Sequence, residues 1–458
     1  MFTLYGRDSK RTCNGVTRRD VLRIGSLGAL GFGLTDLLAI RQAQAAQGQA
    51  PKRHKSVILI WMHGGPTQTD IYDPKPEAPS DYRGPYKAIK TNVPGIEISE
   101  KLPRLAKVMD RATLIRSMHH ATGDHYAAAH WMLTGYHGST AGNRPPQKPA
   151  VGAVTARLLG NRDRGVIPYV VVNGGGFGYE GAAWLGATYN PLMTDDRGRP
   201  RKDEFITSAD VTDLRIHQGL DADRLNRRQS LLTAVEGMRR RSDRLTDGQN
   251  PLDIQSRAMD MILSGRTYQA FKTEEETKAV RSLYGHKGWG KSALLARRLI
   301  EAGTTFVTVN TGGWDDHGNI KGALDRKLPW HDAMTAALIT DLGDRGMLED
   351  TLVVTAGEFG RTPKINRNRG RDHWPYVMSA LVAGGEFRHG QVIGSSDETA
   401  SYPDADPQTP MDLAAIIYHH LGVSLNTVLY DAQGRPIPIV DQGRVPPAML
   451  LGSSASDA

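Results

Sequence analysis

The sequence is almost without cysteine. Its 458 residues include one, Cys13, and Cys13 lies in a segment with the marks of a cleaved leader. Without it the chain has no disulfide, no thiolate nucleophile and no cysteine-based zinc or iron–sulfur centre. Any metal site must then be built from His, Asp and Glu. Strong charge of one sign is also missing. Seven of the 57 Lys and Arg and three of the 49 Asp and Glu precede residue 46, leaving a net charge of +4 beyond it. That is too mild to argue for nucleic acid as a partner. There is no internal repeat, and at 39% hydrophobic and 23% charged residues the composition is that of a globular chain. The length allows a large buried core without covalent staples.

One long apolar run occurs, from Ile24 to Ile40, and it carries five Gly or Ser residues and Asp36. It follows Thr17-Arg18-Arg19-Asp20-Val21-Leu22-Arg23 and precedes Ala43-Gln44-Ala45. A basic region, a short apolar region and a small-residue site in that order read as a twin-arginine export signal over residues 1–45. The expected location is periplasmic or extracellular. The expected partner is the twin-arginine machinery, with no permanent membrane span after cleavage.

Short apolar runs predict buried strands at 57–62, 112–115, 169–172, 305–309, 352–355 and 377–382. Helical patterns lie between them, at Ser99–Asp110 and Lys291–Ala302. Alternating strands and helices predict an α/β fold with a mostly parallel sheet covered on both faces. The charged text at 221–284 reads as a helical insertion in a single domain over 46–458.

Polar loops follow the predicted strands. They are His63-Gly64-Gly65-Pro66, then His119-His120-Ala121-Thr122-Gly123-Asp124-His125, Trp314-Asp315-Asp316-His317, Glu358-Phe359-Gly360-Arg361 and Arg371-Asp372-His373. The carboxyl ends of parallel strands share one edge, so these loops are expected to converge there. Their nitrogen and oxygen donors suit zinc, manganese or calcium. Asp315, His317 and His373 are the leading metal ligands, with His63 and Glu358 next. Asp316 and Asp372 are expected to orient ligands, and Arg361 to hold an anionic group. Thr122 and Thr67 are weaker nucleophile candidates. Gly285 to Ser292 matches G-x-x-x-x-G-K-S, but charged helical text precedes it instead of a strand. It therefore reads as a helix–loop–helix joint.

The segments His63-Gly64-Gly65-Pro66, Asp73-Pro74-Lys75-Pro76, Leu133-Thr134-Gly135, Ala296 to Gly303, Trp314-Asp315-Asp316-His317, Glu358 to Pro363 and Asp372-His373-Trp374-Pro375 together resemble a large bacterial family catalogued only as a numbered domain of unknown function. That family is regarded as a distant branch of the alkaline phosphatase and sulfatase superfamily. The resemblance implies a three-layer sandwich with a divalent metal at the sheet edge, acting on phosphate or sulfate esters. It also shows departures. His63 stands in the place of the first carboxylate, and Glu358-Phe359 in the place of Asp-His. The nucleophile position, counted back from Thr134-Gly135, falls on His125. A formylglycine sulfatase needs Cys or Ser there. His125 is expected to serve as nucleophile, general base or ligand. The expected partner is an anionic ester or glycan. The alternative expectation is a catalytically inactive sulfatase-like fold that binds anionic glycans or polymers in the periplasm or at the surface.

Overall fold

A computed structural model describes residues 54–138, 145–160, 163, 165–174, 178–194, 260–261, 264–285 and 289–451. The expected export signal, the arginine run at 239–241 and the tail beyond 451 lie outside the described residues.

Each of the six short apolar runs is a strand. The central sheet contains β1 (Ser56–Trp61), β4 (Ala112–Met118), β5 (Tyr169–Val172), β6 (Leu192–Met193), β7 (Phe306–Asn310), β8 (Thr351–Ala356), β11 (Met378–Ala383) and β12 (Gln391–Ile393). Short two-stranded ribbons lie outside it: among them β2 (Ala88–Lys90) pairs with β3 (Glu97–Ser99), and β9 (Gly360–Arg361) with β10 (His373–Trp374). The sheet order is β12-β4-β11-β8-β1-β7-β5-β6. β11 runs antiparallel to β4 and β8, and every other pair is parallel.

Successive side chains of β1 enter opposite layers, as the strand period requires. Val57, Leu59 and Trp61 pack into one core with helices α1 (His125–Thr134), α2 (Val151–Leu159) and α6 (Pro410–His420). Ile58 and Ile60 pack into the other with α4 (Trp289–Ala302) and α5 (Ile320–Asp344). The protein is a mostly parallel α/β structure with helices on both faces. Among the described residues no helix is long and apolar enough to cross a membrane.

The expected helix at Ser99–Asp110 is not formed. Leu102, Leu105, Ala106 and Met109 are buried as their spacing predicts, but on two single 3₁₀ turns, Leu105–Lys107 and Met109–Arg111. Asp332 explains the break. Its carboxylate accepts from the amides of Arg104 (3.1 Å) and Leu105 (2.7 Å), as a helix cap does, so the chain begins afresh after Pro103.

The phosphate-loop-like match is a joint between helices. Gly285 ends α3 (Lys278–Tyr284), and α4 begins at Trp289. A Cβ at Gly290 would fall on the Tyr284 carbonyl oxygen, so glycine is needed for close packing of the two helices. Residues 286–288 lie outside the described residues.

Two buried histidines make stability pH-dependent. His331 is fully buried against the Tyr72 hydroxyl at 2.6 Å, and burial pushes it down to about 3. His420, bonded to the Ser56 carbonyl at 2.9 Å, is pushed down by burial to about 4. In the unfolded chain each takes a proton near pH 6.5. Below that pH the unfolded state binds more protons, so stability is full above about pH 6.5 and falls as pH drops toward 4. Each group adds a slope approaching about 1.4 kcal/mol per pH unit. Denaturant unfolding from pH 8 to pH 4 checks this, and a flat profile over pH 6.5–4 refutes it.

Candidate functional site

The sheet edge gathers the polar loops because β1, β4, β7 and β8 run the same way. The β1 loop turns at Gly64, where φ is +116° and a Cβ would lie 2.6 Å from the Asp315 amide nitrogen. Only glycine permits this backbone contact, and it seats the Asp315 loop against β1. The His63 carbonyl accepts from the Trp314 amide at 3.2 Å.

Asp315 lies at the centre. Its Oδ1 is 3.0 Å from His317 Nε2 and 3.1 Å from His373 Nε2, and those nitrogens are 3.1 Å apart. One oxygen and two nitrogens thus form a triangle with edges of about 3 Å. Donors about 2.0–2.1 Å from a tetrahedral ion are about 3.4 Å apart, so this spacing fits a small divalent cation. His125, Asp315 and His373 also offer donor atoms within 4.8 Å of one another. A His/Asp site able to hold a metal is therefore present.

Each ligand is braced. Asp372 accepts from or pairs with His317 Nδ1 at 2.7 Å, as expected of an orienting residue. The bond to His317 holds the Asp372 carboxyl below its usual range. His373 Nδ1 meets the Gly123 carbonyl at 2.8 Å. With Nδ1 committed in this way, Nε2 faces Asp315. Burial raises the Asp315 carboxyl, but bonds from His125, His373 and Arg361 outweigh it and hold the group far below the carboxylate range.

His125 is the first residue of α1, whose cap is Asp124 accepting from Ala127 N at 2.9 Å. Its Nδ1 meets Glu358 Oε1 at 2.7 Å, and its Nε2 is 3.5 Å from Asp315 Oδ2. Burial lowers its pKa, yet its bonds to Asp315 and Glu358 dominate and push it up to about 9. Phe359, fully buried, packs against the rings of both His125 (4.8 Å) and His373 (4.5 Å), which meet each other edge-on at 4.3 Å.

Other expected residues are placed differently. Glu358 is fully buried, and the same Oε1 accepts from Gly64 N at 2.8 Å, so it stands behind His125 and outside the triangle. Arg361 is fully buried too. It donates to the carbonyls of Gly65 (2.8 Å), Arg371 (3.2 Å) and Gly64 and to Asp315 Oδ1 at 2.6 Å. Its guanidinium is turned to the protein and props Asp315 from behind. Asp316 pairs with Lys327. His63 lies outside the His125–Asp315–His373 group. Thr67 donates to Asp70 at 2.9 Å, a structural bond, and Thr122 is buried.

Three supporting residues were not singled out from sequence. His120 is buried, bonded to the Glu358 carbonyl at 2.6 Å and stacked on Trp131 at 5.4 Å. Asn366 donates to Asp372 Oδ1 and to the His317 carbonyl, both at 3.1 Å, tying the two ligand loops together. Arg371 forms a buried pair with Asp70 at 2.8 Å. The adjacent histidines at 119–120 were a visible signal. The other two had none beyond their closeness to Asp372.

Residues 54–450 match a family model described as Protein of unknown function (DUF1501). Comparison with curated proteins finds no match. Among solved structures the chain is similar to PsFucS1 sulfatase from Pseudoalteromonas sp., with 14% identity, a TM-score of 0.36, and 83% of this chain and 70% of that one covered. It is similar to a phosphonate monoester hydrolase from Silicibacter pomeroyi, with 11% identity, a TM-score of 0.35, and 88% and 78% covered. A third is the alkaline phosphatase from the Antarctic bacterium TAB5, with 12% identity, a TM-score of 0.35, and 81% and 99% covered.

Proposed function

We propose, for a chain that belongs to the DUF1501 family over residues 54–450, an exported metal-dependent hydrolase of phosphate or sulfate esters that works without formylglycine. The observation that carries the reading is the triangle of Asp315 Oδ1, His317 Nε2 and His373 Nε2, with edges of 3.0–3.1 Å. These residues would hold the divalent ion, which supplies Lewis-acid polarisation of an ester oxygen.

His125 performs the proton or nucleophile step. Glu358 fixes its Nδ1, so Nε2 is the atom presented toward Asp315. A carboxylate behind an imidazole sets its tautomer and stabilises its charged form, as in other His–carboxylate pairs. Arg361 keeps Asp315 ionised and oriented. The expected export signal over residues 1–45 supports delivery to the periplasm or beyond.

Aryl phosphate and aryl sulfate hydrolysis by the zinc-, manganese- or calcium-loaded protein tests the reading. The wild type is expected to turn over one ester class. His125→Ala is expected to lose about 10²–10⁴-fold in kcat, the usual scale of acid–base catalysis, while keeping its metal. A metal-loaded wild type inert toward both classes would overturn the hydrolase. It would leave a binding protein for anionic glycans or polymers.

A further inference from the structure

Among the described residues, two exposed tyrosines touch each other. Tyr376 is 42% exposed and Tyr402 50% exposed, and their ring centroids are 5.6 Å apart. Trp374 joins them, with its ring centroid 5.0 Å from Tyr376 and 5.7 Å from Tyr402. Single exposed apolar side chains are ordinary, but three touching rings form a contiguous patch. The rings do not lie flat together. Trp374 stands at 78° to Tyr376 and 65° to Tyr402, and the tyrosines are tilted 37° to each other.

The patch is held in place from below. Trp374 follows His373 on β10, and strand alternation turns it to the other side. His373 Nε2 meets Asp315, whereas Trp374 Nε1 donates to the Ser401 carbonyl at 2.7 Å. Tyr402 lies on the turn between β13 (Ser395–Ser396) and β14 (Pro403–Ala405). Asp397 fixes that turn by accepting from the amides of Ser401 (2.8 Å) and Tyr402 (3.1 Å). Gln68 ties it to β9 by donating to the carbonyls of Ala400 (3.0 Å) and Arg361 (2.9 Å). The backbone under the rings is thus set before a ligand arrives, which lowers the ordering cost of binding.

Charge around the patch has one sign. Residues 372–434 hold a single Lys or Arg, Arg388, and it lies beyond the far end of β11. The turn and β14 carry Asp397, Glu398 and Asp404, which form no ion pair among the described residues. Two cations do approach, and both are engaged. Lys75 Nζ is 3.3 Å from Asp73 and donates to the Ser396 carbonyl at 3.2 Å, and Arg444 meets Asp406 at 3.6 Å. Aromatic faces attract cations within about 6 Å of the ring centroid, and a point about 4 Å above these three centroids lies within that reach of all of them. Rings and carboxylates therefore select the same sign of ligand. A metal ion keeps its water and gains little from a ring, whereas a quaternary ammonium is weakly hydrated and presents apolar methyl groups to it. The carboxylates repel an anionic membrane surface, which favours a small soluble ligand over a lipid head group.

We propose that Trp374, Tyr376 and Tyr402 bind a small soluble quaternary ammonium compound, drawn by Asp397, Glu398 and Asp404. The site uses no donor of the Asp315 triangle and does not depend on hydrolysis.

The test is calorimetric titration of the full chain with choline and with 3,3-dimethylbutanol, its uncharged isostere. Choline is expected to bind at least about tenfold tighter than the isostere, the scale of a desolvated cation over aromatic rings. Tyr402→Ala is expected to weaken choline about three- to tenfold, while Tyr402→Phe keeps the ring and the affinity. Tyr402 is half-exposed and outside both cores, so circular dichroism is expected to show these variants folded. Glu398→Gln/Asp404→Asn is expected to weaken choline and flatten its dependence on salt. Equal affinity for choline and the isostere would refute the site, as would choline binding that Tyr402→Ala leaves unchanged. Retention by phosphatidylcholine vesicles without binding of free choline, or binding of a neutral hexose in place of choline, would also overturn it. Choline binding is expected to persist in His317→Ala/His373→Ala. Its loss there would place the cation at the triangle and refute the aromatic site, whereas a metal-free triangle in the wild type would leave it standing.

Discussion

Replacing His317 and His373 together with alanine is expected to remove the divalent ion of the Asp315 triangle from a chain that stays folded. The two imidazole nitrogens supply two of the three donors, each about 3 Å from the Asp315 oxygen. Losing both leaves the Asp315 carboxylate as the triangle's one donor, already engaged by Arg361 at 2.6 Å, with His125 beside it at 3.5 Å. Removal of even an orienting partner typically costs metal sites 10–100-fold, and removal of two ligands costs more. The affinity is therefore expected to fall by at least about 10³-fold. The fold tolerates the change because the side chains are 46% and 26% exposed and neither enters a hydrophobic core. Elemental analysis and titration calorimetry of both proteins check this, with circular dichroism to verify folding. A folded wild type that never takes up a divalent ion in the triangle would sink the metallohydrolase.

Arg371→Ala is expected to produce the largest loss of stability among single substitutions near the site. Its guanidinium and the Asp70 carboxylate are both fully buried and meet at 2.8 Å. Arg371 also donates to the carbonyls of Thr362 (2.9 Å), Pro363 and Tyr82 (2.9 Å). Truncation strands a buried Asp70 charge and three carbonyls at once. Breaking such a pair costs about 3–5 kcal/mol, mostly through the partner left uncompensated. Asp70→Asn in the Arg371→Ala background removes that stranded charge and is expected to restore part of the loss. Denaturant unfolding of the single and double variants measures both effects. A loss below about 1 kcal/mol for Arg371→Ala would show that the pair is replaceable by solvent.

Much of the fold is legible in particular residues. Strands buried on both faces, whether parallel or, like β11, antiparallel to their neighbours, carry unbroken apolar runs. That is why β1, β5, β7, β8 and β11 match the expected segments within about one residue at each end. β6 and β12 escape the same reading because they are short and half-exposed at the sheet margins. The Ser99–Asp110 pattern correctly marks what is buried and misleads about how, since Asp332, more than 220 residues away, caps the amides that a helix would use internally. Side-chain spacing reports a buried face, but not which group satisfies the backbone.

The site divides along the same line. Asp315, His317 and His373 are chemically conspicuous beside Gly-rich loops, and Asp372 stands next to His373, so the sequence alone determined which donors were available and that no thiolate was among them. It also determined the strands whose carboxyl ends carry them. Tertiary structure decided how those donors are used. Strand order brings residues 125, 315, 358 and 373 within a few ångströms. The direction of each loop turns Glu358 and Arg361 to the buried side and leaves His317 half-exposed. A carboxylate and a guanidinium read the same in a sequence whether they face a cleft or the protein interior. Only packing removes their water, and removing it makes one group a brace and leaves another to act.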